Sequence, residues 1–269
     1  VVIDCANGAA YKVAPRVLTD LGAEIIPLGC SPNGRNINLR CGSTSPELIQ
    51  ATVSGVHADV GIALDGDGDR LVMVDHLGRI ADGDQLLYVI ASDRKRAGTL
   101  QGPVVGTVMS NLGLEQKLQA EGVEFLRAKV GDRYVLAMLK EHGGVLGGET
   151  SGHLLCLDRT TTGDGLVSAL EVLAVMKRTG RPLAELVAGM PKFPQVMINV
   201  RVRERIDPSQ SQVIQDAVRR VEKVLGSTGR VVLRASGTEP VIRVMIEAED
   251  EAVASRYASE LAEVVRTAI

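Results

Sequence analysis

With 269 residues, 23% charged and a formal net charge of −3, the chain carries no basic excess for nucleic acid. Aromatics make up 2% with no Trp, which leaves no platform for stacking bases, and no apolar run is long enough to span a membrane. At 45% hydrophobic the chain can bury the cores of one to three domains; its four cysteines (Cys5, Cys30, Cys41, Cys156) form no CxxC pair, so idle thiols and a cytoplasmic setting are expected.

Residues 1–4 are strand-like and open the chain without Met or a targeting segment, so the expectation is that an N-terminal part lies ahead of Val1. Residues 12–22 carry helical spacing at Val13, Val17, Leu18 and Leu21, and 23–28 read as a strand. A Gly-, Asn- and Pro-rich loop over 29–44 is too long for a plain connector. A helix with Pro46 in its first turn follows, then two strands around an acidic turn, and a helix from about residue 84 to 97. The next ninety residues repeat this order: strand 103–109, helix 112–122, strand 123–128, helix 132–143, strands 144–149 and 153–157, helix 163–178. Identities at an offset of 82 (Leu64 with Leu146, Gly66 with Gly148, Asp82 with Asp164, Gly83 with Gly165) support an internal repeat. Residues 178–194 read as a short helix and linker. The remainder alternates a strand, a helix, two strands and an amphipathic helix. The expected fold class is α/β: two repeated three-layer α/β/α domains with mixed sheets (1–99 and 100–190), then a small α+β domain (191–269).

The chain is organised around LDGDGDR. Asp65, Asp67 and Asp69 alternate with Gly66 and Gly68 between two apolar runs. Two charges about 4 Å apart repel by roughly 4 kcal/mol at an effective dielectric near 20. Three acids on one turn therefore call for a hard cation, with a solvated Asp-Gly hairpin turn as the alternative. An EF-hand is excluded, because its obligatory Gly and Glu positions hold Arg70 and His76. A haloacid-dehalogenase-type loop is disfavoured by Arg70 and by the immediate return into a second apolar run.

Three other loops carry candidate chemistry. GGETSGH places Glu149, Ser151 and His153 at alternate positions, which in an extended chain point one way toward a sugar's hydroxyls; a polar turn with a structural His is the alternative. KVGDRYV puts Lys129 and Arg133 near a helix start, with Asp132 as its N-cap. ASGTEPVIRV offers Ser236, Gly237 and Thr238 between Arg234 and Arg243, a set suited to phosphate or to a plain hairpin turn with surface arginines.

Taken together, GIALDGDGDRLVMVD, KVGDRYV, GGETSGH and RASGTEPVIRVM resemble, in order and spacing, the motifs of the α-D-phosphohexomutase superfamily, over essentially the whole chain. NINLRCGST, KVGDRYV and TTTGDG are similar to its glucosamine-phosphate branch rather than to its phosphomannomutases and phosphoglucomutases, which stay as the alternative. The resemblance implies an isomerase that interconverts glucosamine 6-phosphate and glucosamine 1-phosphate through a phosphoserine and a bisphosphate. It implies Mg²⁺ on Asp65, Asp67 and Asp69, and Arg70 at the transferring phosphoryl group. Glu149 and Ser151 would meet sugar hydroxyls, and Arg234, Ser236, Gly237, Thr238 and Arg243 the idle phosphate. The group that takes the substrate proton is left open among His153, Arg70 and Lys129. Partners implied are a hexosamine phosphate and an N-terminal domain of the same protein, with a homodimer left open. The family's Ser-His-Asn-Pro-type serine loop does not occur in residues 1–269, so this chain is expected to be inactive alone. A non-catalytic metal- or phosphosugar-binding module is the reading from another class.

Overall fold

The computed structural model describes residues 1–202, 207–236 and 239–268. The chain divides into two compact units, residues 1–110 with 114–190, and residues 111–113 with 191–269.

The first unit holds two sheets of one wiring. In the first, β1 (Val2–Asp4) lies between β2 (Ile26–Leu28) and β3 (Val60–Leu64), parallel to both, and β4 (Leu71–Asp75) and β5 (Ile80–Ala81) extend it antiparallel. In the second, β6 (Val104–Thr107) lies between β7 (Phe125–Ala128) and β8 (Leu146–Gly148), again parallel, with β9 (Leu154–Cys156) antiparallel at the edge. The orders β2-β1-β3-β4 and β7-β6-β8-β9 are the same pattern, which is the repeat read from the sequence. The offset of 82 holds at the helix starts and slips at the turns: β3 ends at Leu64 and β8 at Gly148. The strand expected over 23–28 shrinks to Ile26–Leu28, an edge strand paired on one side with Ile26 and Pro27 exposed, and β5 was not expected.

Alternation along the strands separates two faces. Val2, Ala63, Val72 and Val74 pack with Ile49 and Val53 of α2 (Glu47–Val56). Ile3, Ile62, Leu64, Leu71 and Met73 point the other way, into a larger core shared with Leu18 of α1 (Val13–Asp20) and with α3 (Gly83–Arg96). The second sheet divides likewise. Val105, Ala128 and Leu155 meet Val135 and Leu139 of α5 (Asp132–His142), while Val104, Leu146, Leu154 and Cys156 join the larger core with α4 (Leu112–Ala120) and α6 (Gly165–Thr179). One core thus binds both sheets, with α3 and α6 packed on each other inside it. Buried Leu or Ile side chains contribute about 1.5–3 kcal/mol each. Within this core α3 also carries Arg94, buried and paired with Asp158 and Glu171 at 2.9 Å each. α7 (Leu183–Val187) closes this unit.

The second unit is a three-stranded antiparallel sheet, β10 (Gln195–Arg201), β12 (Val241–Ala248) and β11 (Gly229–Ala235) in spatial order. α8 (Gln212–Leu225) and α9 (Glu251–Ala268) pack on it, burying Val200, Val244, Ile246, Ile214, Val221, Leu261 and Val265. The α/β class with a small α+β end is therefore what the chain adopts. Among the described residues no helix is long and apolar enough to cross a membrane.

Candidate functional site

Leu64 and Leu71 pair across β3 and β4, so the six residues between them must turn tightly at the strand ends. Asp65 is the floor of that turn. It is 6% exposed, and its Oδ1 accepts the backbone N–H groups of Gly68 (3.1 Å) and Arg70 (3.0 Å). The N–H of Ala9 donates to Gly66 O (2.8 Å) from below; a Cβ on Gly8 would sit 2.1 Å from that oxygen, so only glycine permits the approach. Held this way, one carboxylate oxygen from each of Asp65, Asp67 and Asp69 lies within 4.8 Å of the others. Burial raises the Asp65 carboxyl above the usual carboxylate range, and the charges of Asp69 and Asp67 push the same way, against the Arg70 N–H. Arg70 offers limited relief: its Nε is 3.9 Å from Asp65 Oδ2 and its side chain is 49% exposed. Asp69 Oδ1 is buried with no hydrogen-bond partner. Converging carboxylates, mutual repulsion and an orphaned oxygen fit a hard divalent ion.

The β8–β9 turn lies against this one. The Leu71 N–H donates to Gly152 O (3.0 Å), Arg70 and His153 form an antiparallel bridge, and His153 Nδ1 is 3.1 Å from Asp69 Oδ2. His153 is buried, and its Nε2, without a hydrogen-bond partner, faces Gly163, where a Cβ would lie 2.2 Å away.

Glu149 and His153 continue the register of the Gly148–Leu154 pair, so they stand opposite each other across the β8–β9 hairpin and are not alternate residues of one extended chain; Ser151 lies in the turn between them. The chain reverses at Thr150–Gly152, with Glu149 N–H donating to His153 O (3.0 Å), Gly152 N–H to Glu149 O (2.9 Å) and Gly152 at φ +93°. Alternation requires extended backbone, and a turn removes it. Glu149 Oε1 instead accepts the Gly131 N–H (2.9 Å), which brings the 129–133 loop beside the turn, and Ser151 is exposed. Asp132 is not the N-cap of α5: Gly131 holds that position and Asp132 is the first helical residue. Lys129 is exposed; Arg133 stacks on the Tyr134 ring (4.6 Å) and donates to its hydroxyl (2.8 Å).

In the second unit, Arg234 and Arg243 sit directly opposite each other on β11 and β12. Arg234 Nε is buried without a partner, and burial, then the charge of Arg243, lowers its pKa. Arg243 Nη2 has Glu239 at 4.0 Å. Ser236 is buried, its N–H donating to Val241 O (2.8 Å) and its hydroxyl accepting from the Glu239 N–H (3.4 Å). Two facing guanidiniums beside a hydroxyl make a seat for an anion. Gly237 and Thr238 lie outside the described residues.

Two residues at the first unit's turns escaped the sequence reading. The Thr150 hydroxyl donates to buried Asp84 Oδ2 (2.7 Å), and the Gly83 N–H donates to Thr150 O (3.1 Å). The Asp-Gly-Asp run at residues 82–84 was a visible signal, since it repeats the spacing of the acidic turn at a helix start.

A mixed α/β scaffold whose strand ends present a three-carboxylate turn against a Gly-rich polar turn defines the structural class. The chain belongs to the phosphoglucomutase/phosphomannomutase family: its α/β/α domain II model matches residues 1–78, its α/β/α domain III model residues 82–193, and its C-terminal domain model residues 197–264. The phosphoglucosamine mutase of Alkalilimnicola ehrlichii is 58% identical over 267 residues, 99% of this chain and 59% of that protein. That of Methylococcus capsulatus is 55% identical over 268 residues, 100% of this chain and 60% of the relative. Among solved structures, a phosphoglucomutase/phosphomannomutase family protein from Burkholderia thailandensis aligns with a TM-score of 0.83 at 27% identity, over 99% of this chain and 60% of that one. The Aspergillus fumigatus N-acetylphosphoglucosamine mutase in complex with GlcNAc-6P and magnesium shares the fold, with a TM-score of 0.80 at 21% identity, over 98% and 65%. The chain thus spans 59–60% of the length of the named bacterial relatives.

Proposed function

We propose that this chain forms the cation-, sugar- and phosphate-holding part of an enzyme that interconverts glucosamine 6-phosphate and glucosamine 1-phosphate. The observation that carries this reading is the acidic turn: three carboxylate oxygens within 4.8 Å, one buried oxygen of Asp69 unpaired, and a polar sugar-type turn bridged to it. The phosphoglucosamine mutase relatives at 55–58% identity support the choice of sugar.

In this reading Asp65, Asp67 and Asp69 hold Mg²⁺, which supplies neutralisation of the charge on a transferring phosphoryl group. Arg70, half-exposed beside the turn, meets the same group. Glu149 keeps Oε2 free of the Gly131 bond and, with exposed Ser151, addresses sugar hydroxyls. Arg234, Ser236 and Arg243 take the phosphate that does not react, an anion that relieves the repulsion between the two guanidiniums; Gly237 and Thr238 are proposed for the same phosphate. His153, buried between Asp69 and Gly163, orients Asp69 through Nδ1, and its unpaired Nε2 keeps it, with Lys129 and Arg70, among the groups proposed for the proton step. The phosphoryl donor is a serine outside residues 1–269, so the chain alone does not turn over. A division at 99/100 and at 190/191, a cytoplasmic location and a role in UDP-N-acetylglucosamine and cell-wall precursor synthesis belong to the same reading.

Calorimetric titration of the chain with glucosamine 6-phosphate, glucose 6-phosphate and mannose 6-phosphate, each with and without Mg²⁺, tests it. Tightest binding of the amino sugar, dependent on Mg²⁺, is expected. Equal or absent binding of all three refutes the substrate. A stable phosphoserine on this chain, together with turnover in a coupled assay, refutes its dependence on an outside serine.

A further inference from the structure

Each of the two turns in the first unit is backed by a helix that follows the other turn in the chain. α6 comes after the 149–153 turn, yet its first residue, Gly165, donates its N–H to Gly68 O of the acidic turn (2.9 Å). α3 comes after the acidic turn, yet its first residue, Gly83, donates its N–H to Thr150 O (3.1 Å), and the next residue, Asp84, accepts the Thr150 hydroxyl (2.7 Å). Both approaches are tight. A Cβ on Gly165 would lie 2.8 Å from Arg70 O and 3.0 Å from Gly68 O; one on Gly83 would lie 2.1 Å from Glu149 O. The turns are also tied to each other, through Leu71 N–H to Gly152 O and His153 Nδ1 to Asp69 Oδ2.

We infer that Thr150, with Asp84 and Gly83 behind it, and Gly165 on the opposite helix, are positioning residues for the divalent ion, although none of them supplies a ligand atom. The inference rests on reading Asp65, Asp67 and Asp69 as ligands. Its path is short. α3 fixes Thr150; Thr150 fixes the reversal at Gly152; Gly152 and His153 then fix Leu71 and one oxygen of Asp69. The other Asp69 oxygen is buried and unpaired. Groups that orient a ligand without touching the metal are worth about 10–100-fold in affinity.

The test is a titration of the chain with Mn²⁺ followed by electron paramagnetic resonance, beside circular dichroism and thermal unfolding in EDTA. Thr150→Val removes the hydroxyl at nearly constant volume, and Thr150→Ser keeps it. The Mn²⁺ Kd is expected to rise about tenfold in Thr150→Val and Gly165→Ala and to stay within about twofold of wild type in Thr150→Ser. An unchanged Kd in Thr150→Val overturns the inference, and so does an equal loss in Thr150→Ser. Should Thr150→Val lack native circular dichroism, Asp84→Ala, which removes the acceptor of the Thr150 hydroxyl, replaces it with the same expectation. Absence of Mn²⁺ binding by the wild-type chain overturns the ligand reading itself and this inference with it; wild-type binding with unaffected variants overturns the inference alone.

Discussion

Asp65→Asn separates the electrostatic cost of the acidic turn from its benefit. Asn keeps an Oδ1 that can accept the Gly68 and Arg70 N–H groups, so the turn retains its hydrogen bonds and loses one charge. At 4.8 Å, the widest separation among the three oxygens, and an effective dielectric of 20, one carboxylate pair repels by about 3.5 kcal/mol before screening. Asp67 is exposed and the Asp69 side chain is 36% exposed, so solvent screening brings the two pairs together to about 1–2 kcal/mol. In EDTA at neutral pH the variant should melt higher, by about 2–4 °C for each kcal/mol in a unit of this size. The pH sign follows from the raised Asp65 pKa: the contribution of this group is fully favourable below its unfolded value, about 3.9, and is lost as pH rises through the higher folded value. The gap between variant and wild type should therefore narrow on acidification from neutral pH. Mg²⁺ at about one hundred times its Kd should stabilise the wild type by about 2.7 kcal/mol and the variant far less. Differential scanning calorimetry in EDTA and in excess Mg²⁺ reads all three. A lower melting temperature for Asp65→Asn in EDTA, or equal stabilisation of both proteins by Mg²⁺, refutes the reasoning.

Arg94→Met leaves Asp158 and Glu171 without their buried cation and should cost about 3 kcal/mol in urea unfolding; a loss below about 1 kcal/mol would show that solvent already satisfies both acids. Arg234→Met should weaken glucosamine 6-phosphate binding about tenfold or more by calorimetry, since it removes a charge-assisted partner; unchanged affinity would place the phosphate elsewhere. Burial pushes the Cys5 thiol far up and the Cys156 thiol up to about 11, whereas Cys30 is half-buried and less shifted. Ellman's reagent should therefore label Cys30 of the native chain well before Cys5 or Cys156, and equal rates for the three would contradict the burial.

The acidic turn was legible because its information is local: alternating Asp and Gly between two apolar runs specify both the turn and its charge density. The facing arginines were legible for a related reason, since two strands joined by a short turn place Arg234 opposite Arg243. Reading was incomplete where a backbone reversal sets the placement. Glu149 and His153 are set opposite each other by the hairpin reversal at Gly152 and not by alternation along one strand, and Asp132 yields the capping position to Gly131.

The sequence by itself determined the element order apart from β5, the duplication of one α/β unit and the residue types at each turn, because periodicity and turn chemistry act over a few residues. Only the tertiary structure decided that α3 and α6 cross over to back each other's turns, that Thr150 answers to Asp84, and that His153 faces Asp69. Those contacts join residues 66 to 97 positions apart, as between Asp84 and Thr150 or Gly68 and Gly165. Burial of one shared core selects them, and no local pattern encodes which helix covers which turn.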